Sequence, residues 1–153
     1  MKRCIETVAG AVLVALLGPA WGATCTVTSS PKLGFPNYDV FVAAPTTTSN
    51  IAKFKCDVAQ ATISIGIGKS ATSGSIANRQ LAQTGAGTGR LNYNIYKDGS
   101  YSNLWGDGTA GTSVLMVNTT AKTTSVSIYG KIDPGQDAPV GSYKDTVIVS
   151  VNP

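Results

Sequence analysis

Residues 143–151 read YKDTVIVSV, and only Asn152 and Pro153 follow in the sequence. Val147, Val149 and Val151 fall on one face with Tyr143 and Asp145, while Lys144, Thr146, Ile148 and Ser150 fall on the other. A period of two with an apolar face is the signature of a half-buried strand. No strand that could pair with it is expected after it. If it lies at the heart of a sandwich, its open flank is expected to be filled by another chain, because unpaired backbone groups beside an apolar floor are costly.

The composition agrees with an all-β chain. The 153 residues include 17 glycines, many serines and threonines and only 13% charged residues, and no long apolar stripe of helical period runs through them. This length is enough for one domain with a real core.

Residues 1–22 are expected to be an export leader rather than part of that domain. Lys2 and Arg3 precede VAGAVLVALLGPAWGA, an apolar run too short and too early for a membrane span. Cleavage after Gly22 places small Ala20 and Gly22 at the two positions a signal peptidase reads, and the mature domain becomes 23–153, starting Ala23-Thr24-Cys25. Thr24 does not suit a lipidated cysteine, so no stable membrane anchor is expected. The product is expected to be exported.

Without the leader, ten basic and seven acidic residues remain, a net charge of about +3, with no His and no Glu. The basic residues are scattered singly and form no stripe, so no nucleic acid is expected as a partner. The two remaining cysteines, Cys25 and Cys56, are expected to form one disulfide, as exported domains permit. Metal binding by so lone a pair is not expected.

Along the mature chain, CTVTS (25–29) alternates and is expected as the first strand, followed by a break around Pro31, Gly34 and Pro36. Residues 43–50 are expected as a polar loop. In IAKFKCD (51–57), Ala52, Phe54 and Cys56 share the inward face, and in TISIGIG (62–68), Ile63, Ile65 and Ile67 do. Gly66 and Gly68 mark a bend or a close approach. Residues 69–90 hold six Ser or Thr and four Gly and are expected as a long surface loop, with a turn of helix at 78–82. LNYNIYK (91–97) alternates, Asp98-Gly99 and 106–108 supply turns, and strands are expected at 101–105, 112–117 and 125–132. About seven strands in one domain make a β-sandwich.

No catalytic constellation is present. Triads that need His are impossible, there is no G-x-S-x-G elbow, and several of the seven aspartates sit in turns. GAGTG at 85–89 lacks the strand, the helix and the Lys-Ser/Thr ending of a phosphate loop. The two Asp-Gly turns supply too few carboxylates for calcium. No enzyme activity, cofactor or metal is expected. Tyr101 and Trp105 are candidates for a surface contact, which supports an alternative reading as a secreted module that binds a glycan or a surface.

LNYNIYKDGSYSNLWGDGT (91–109) and IYGKIDPGQDAPVGSYKDTVIVSV (128–151) resemble the spore coat protein U domain, a fold shared with pilin subunits of the archaic chaperone-usher pathway, Csu-type pili included. GFPNYDVF (34–41), a second cysteine in a strand and Arg79 in the long loop fall in the family's order too. The resemblance implies an incomplete immunoglobulin-like β-sandwich lacking its last strand. It also implies three partners: a periplasmic pilus chaperone and then a neighbouring pilin subunit, each donating a strand, and an outer-membrane usher. Tyr143, Val147, Val149 and Val151 would line the donor-strand groove. Polymerising subunits carry a donor segment of about ten or more residues before the first cysteine, as a strand of useful length requires. Only Ala23 and Thr24 stand there in the expected mature chain. A terminal or minor subunit of a pilus or coat, which accepts a strand and donates none, is therefore expected.

Overall fold

The alternation that marks the core strands in the sequence is also the alternation of burial in the structure. The computed structural model describes residues 11–16, 24–29, 31–57, 62–119 and 123–152. These residues form ten strands and no α-helix: β1 (Ala11–Leu16), β2 (Cys25–Ser29), β3 (Thr46–Cys56), β4 (Thr62–Ser70), β5 (Arg79–Gln83), β6 (Arg90–Tyr96), β7 (Leu115–Asn118), β8 (Thr124–Ile132), β9 (Tyr143–Lys144) and β10 (Thr146–Asn152). They lie in two sheets, of order β1-β10-β4-β7 and β2-β3-β8-β6-β5-β9. Every pairing between named strands is antiparallel except that of β1 with β10.

The core lies between the sheets. Ile63, Ile65 and Ile67 of β4 and Val147, Val149 and Val151 of β10 are buried from one side, and Ala52, Phe54, Ile95, Val126 and Ile128 from the other. Each Val or Ile side chain among them contributes roughly 1.5–3 kcal/mol on burial, so these two ranks supply much of the driving force. The immunoglobulin-like sandwich is incomplete: within residues 24–152, β10 pairs with β4 alone and its other flank has no strand.

Four local expectations change. Residues 46–50 are strand rather than loop, because the threonine-rich start of β3 pairs with β8 from Thr46↔Ile132 to Asn50↔Ile128. Residues 79–83 are β5 rather than a turn of helix, since pairing with both β6 and β9 overrides local propensity. Residues 101–105 form only isolated bridges, Tyr96↔Leu104 and Trp105↔Ser113, around a turn in which Tyr101 takes a φ of 57°. The stretch 143–151 is two strands, split at Asp145, with β9 in the six-stranded sheet and β10 in the four-stranded one. The expected close approach at Gly66 is present: a Cβ there would lie 3.3 Å from the Cα of Asp107.

Cys25 and Cys56 face each other across β2 and β3 and are joined by a disulfide. It anchors β2, the short edge strand of its sheet. Replacing both cysteines with alanine is expected to lower the unfolding free energy by about 3–4 kcal/mol, the chain-entropy value for a loop of this size, as read by urea denaturation.

Candidate functional site

The flank of β10 is the site on which the fold is unfinished. From residue 24 onward, Val147, Val149 and Val151 point into the core while Ile148 points outward, about half exposed. An apolar gap between the sheets, lined by Val27 of β2, Pro31, Phe54, Ile65, Trp105 and Val149, lies between β2 and β10, the two edges on this side of the sandwich. Backbone groups along one edge and an apolar floor beneath are the two features that a strand added to a sheet exploits.

A strand does occupy this flank. β1 runs parallel to β10 through six consecutive pairs, Ala11↔Thr146, Val12↔Val147, Leu13↔Ile148, Val14↔Val149, Ala15↔Ser150 and Leu16↔Val151, and also approaches β2. These six residues belong to the stretch expected as leader. The remainder of that stretch, with the expected cleavage site, lies outside the described residues.

The four residues expected at the groove are not all together. Val147, Val149 and Val151 share the inward face of β10. Tyr143 lies on β9 in the opposite sheet, paired with Gln83, and its hydroxyl donates to the Pro139 carbonyl at 2.6 Å. The sheet change at Asp145 is what separates it from the valines.

Of the two expected surface residues, Trp105 has to be corrected. It is 0% exposed, and its indole N–H donates to the Ile65 carbonyl at 2.8 Å. It fills the space between the sheets, where a large ring with one satisfied polar group is well suited. Tyr101 is half-buried, edge-on to Tyr96 and Tyr129 at centroid distances of 5.6 and 6.4 Å. Its turn is organised by Asp98, whose carboxylate accepts the Ser100 hydroxyl and the N–H groups of Ser100, Ser102 and Asn103. These hydrogen bonds, the Ser100 hydroxyl first, hold the Asp98 carboxyl well below the ordinary carboxylate range.

A buried polar hub that the sequence reading missed fixes where β10 begins. Arg79, expected in a surface loop, is 0% exposed on β5. Its Nη2 donates to the carbonyls of Ile67, Gly68 and Trp105 at 3.0, 3.0 and 2.9 Å, and Nε donates to Gly68 at 3.3 Å. One sheet is thereby tied to the other. Burial lowers the Arg79 pKa, opposed by Tyr93, Asp145 and Asp107, and the guanidinium nonetheless stays protonated. Asp145, 3% exposed at the point where the chain changes sheet, accepts the Tyr93 hydroxyl at 2.8 Å and the Thr72 hydroxyl and N–H at 2.9 and 3.1 Å. Burial, followed by the Asp145 charge, raises the Tyr93 pKa, so the phenol remains a donor. Sequence phase held a signal for both: Arg79 is in register with inward Leu81, and Asp145 with inward Val147.

The model of the Spore Coat Protein U domain matches residues 10–150. The chain belongs to the Spore Coat Protein U domain family. The match starts upstream of Cys25 and takes in β1 as well as the sandwich. Among solved structures, the chain is similar to one from the crystal structure of the CsuC-CsuE chaperone-tip adhesion subunit pre-assembly complex of archaic chaperone-usher Csu pili of Acinetobacter baumannii, with a TM-score of 0.60 and 19% identity. The similarity covers 84% of this chain and 39% of that one, and it places the immunoglobulin-like pilin fold on this Spore Coat Protein U domain. No curated protein matches the chain.

Asp145→Ala is expected to destabilise the domain by about 2–4 kcal/mol, because it leaves the buried Tyr93 hydroxyl and the Thr72 hydroxyl and N–H without their acceptor, whereas Tyr93→Phe is expected to cost about 1–3 kcal/mol. Denaturant unfolding of the variants checks both. For Asp98, a depressed folded pKa means a contribution present above the unfolded value and lost as pH falls through the folded one. The 97–105 turn is therefore expected to persist at about pH 3, below the free aspartate value of about 3.9. Carboxyl carbon shifts in an NMR titration should show Asp98 still ionised at about pH 3, and Asp98→Asn should loosen the turn at every pH.

Proposed function

We propose that the mature domain, 23–153, is a non-enzymatic structural subunit of a surface pilus or coat, assembled by chaperone-usher donor-strand complementation. The single observation that carries this reading is the flank of β10, which has no strand beside it within residues 24–152 and adjoins an apolar gap reaching to β2. A periplasmic chaperone fills that flank first. At the outer-membrane usher, a neighbouring subunit's donor strand takes the chaperone's place. Each exchange satisfies the edge's N–H and C=O groups and covers the floor around Val147, Val149 and Val151 in one step.

Family membership and the fold of the Csu neighbour support the subunit reading. Cleavage after Gly22 leaves two residues before Cys25, fewer than the five or six of an ordinary strand. The subunit then accepts without donating, as a terminal or minor member of the filament does. With Trp105 in the core, a glycan site built on that ring is not retained.

Produced alone in the periplasm, the mature domain is expected to aggregate or be degraded, and together with its cognate chaperone to form a soluble one-to-one complex in native mass spectrometry. A stable monomer without any partner contradicts the acceptor role. The intact mass of the mature chain should place its first residue at Ala23. A first residue ten or more positions ahead of Cys25 contradicts the terminal placement.

A further inference from the structure

Residues 11–16 carry an inference that rests on the acceptor reading of β10 and concerns what fills the flank before any partner arrives. We propose that in the uncleaved chain AVLVAL is a strand donated in cis to the flank of β10, so that the precursor completes its own sandwich and leader removal opens it.

Three observations carry this. The pairing is continuous, six parallel partners in one unbroken register, which sets Val12, Val14 and Leu16 level with Val147, Val149 and Val151. The segment holds only Ala, Val and Leu. Such a run offers no charge to desolvate, and its two valines suit a pleated backbone. Finally, β1 touches both edges of the opening, lying along β10 and approaching β2, so one segment spans the gap between the sheets.

The same composition explains the double use. An apolar run without charge serves as the core of an export leader and equally as a strand for an apolar cleft, because neither role depends on a specific side-chain contact. Cis placement lets the segment meet the flank at a high effective concentration with no second molecule. Cleavage after Gly22 severs that link. The strand becomes a free peptide that dilutes away, and the edge is handed over to a partner.

Register-specific cross-linking tests the proposal. The full chain is produced uncleaved in an oxidising cytoplasm, with Cys4→Ser to remove the spare thiol. The pair Val14→Cys with Val149→Cys is in register. It is expected to form an intramolecular disulfide at least about tenfold faster than Val12→Cys with Val151→Cys, whose offset lies beyond disulfide reach. Equal rates for the two pairs, no cross-link, or disulfide-linked dimers in place of monomers would overturn the cis strand; dimers would indicate donation between copies. In parallel, Val14→Asp in the uncleaved chain is expected to accelerate hydrogen exchange at the β10 amides tenfold or more, and unchanged exchange would count against the proposal. Failure of the acceptor reading is seen separately: a chain beginning at Ala23 that persists as an unaccompanied monomer overturns that reading whatever the cross-links show.

Discussion

A strand whose two faces are settled but whose flank nothing else in residues 24–152 covers governs this protein. β10 contributes three valines to the core and hydrogen-bonds to β4, yet within residues 24–152 its opposite edge has no strand. Backbone N–H and C=O groups that lose water without gaining partners cost more than a typical hydrogen bond contributes, so such an edge beside an apolar gap must be covered. The disulfide that anchors β2, the isoleucines of β4 and the gap between β2 and β10 all bear on the same place.

The buried hub of Arg79, Tyr93 and Asp145 gives that opening its position. Asp145 sits where the chain leaves β9 in one sheet and starts β10 in the other, and its three hydrogen bonds fix the crossing to β6 and to the turn after β4. Arg79 ties β5 to the carbonyls of β4 and Trp105 from the same region. A buried ionic group is seldom a net source of stability compared with a well-packed apolar one. Here its geometry fixes where β10 begins, and with it the register that β1 meets along the flank.

Much of this was legible in the sequence wherever one face is apolar and the period is two. The strands around Phe54, Ile65 and Val149 and the sandwich itself follow from that alternation, and the Cys25–Cys56 pairing from only two cysteines remaining once residues 1–22 are set aside. Polar strands were not legible. The start of β3 is threonine and serine, and β5 holds one leucine between glutamines, so pairing with β8 and β6 decides their state rather than local composition. Trp105 follows glycine- and serine-rich turns and looked exposed, yet the chain folds it back beneath β4, where its N–H finds a carbonyl. Arg79 and Asp145 were hidden because charged residues are ordinarily assigned to the surface. The apolar run at 11–16, expected as part of an export leader, has no strand signature of its own, and its pairing with β10 decides its state.

Hydrogen exchange along β10 tests the acceptor edge most directly. In a short labelling pulse on the mature domain just released from its chaperone, before it aggregates, the amides of β10 directed away from β4 should exchange rapidly while those of β3, β4 and β8 stay protected. Adding the chaperone should then slow exchange at those β10 amides selectively. Protection along both edges of β10 in the mature domain alone would show that the flank is already closed, and would contradict the account.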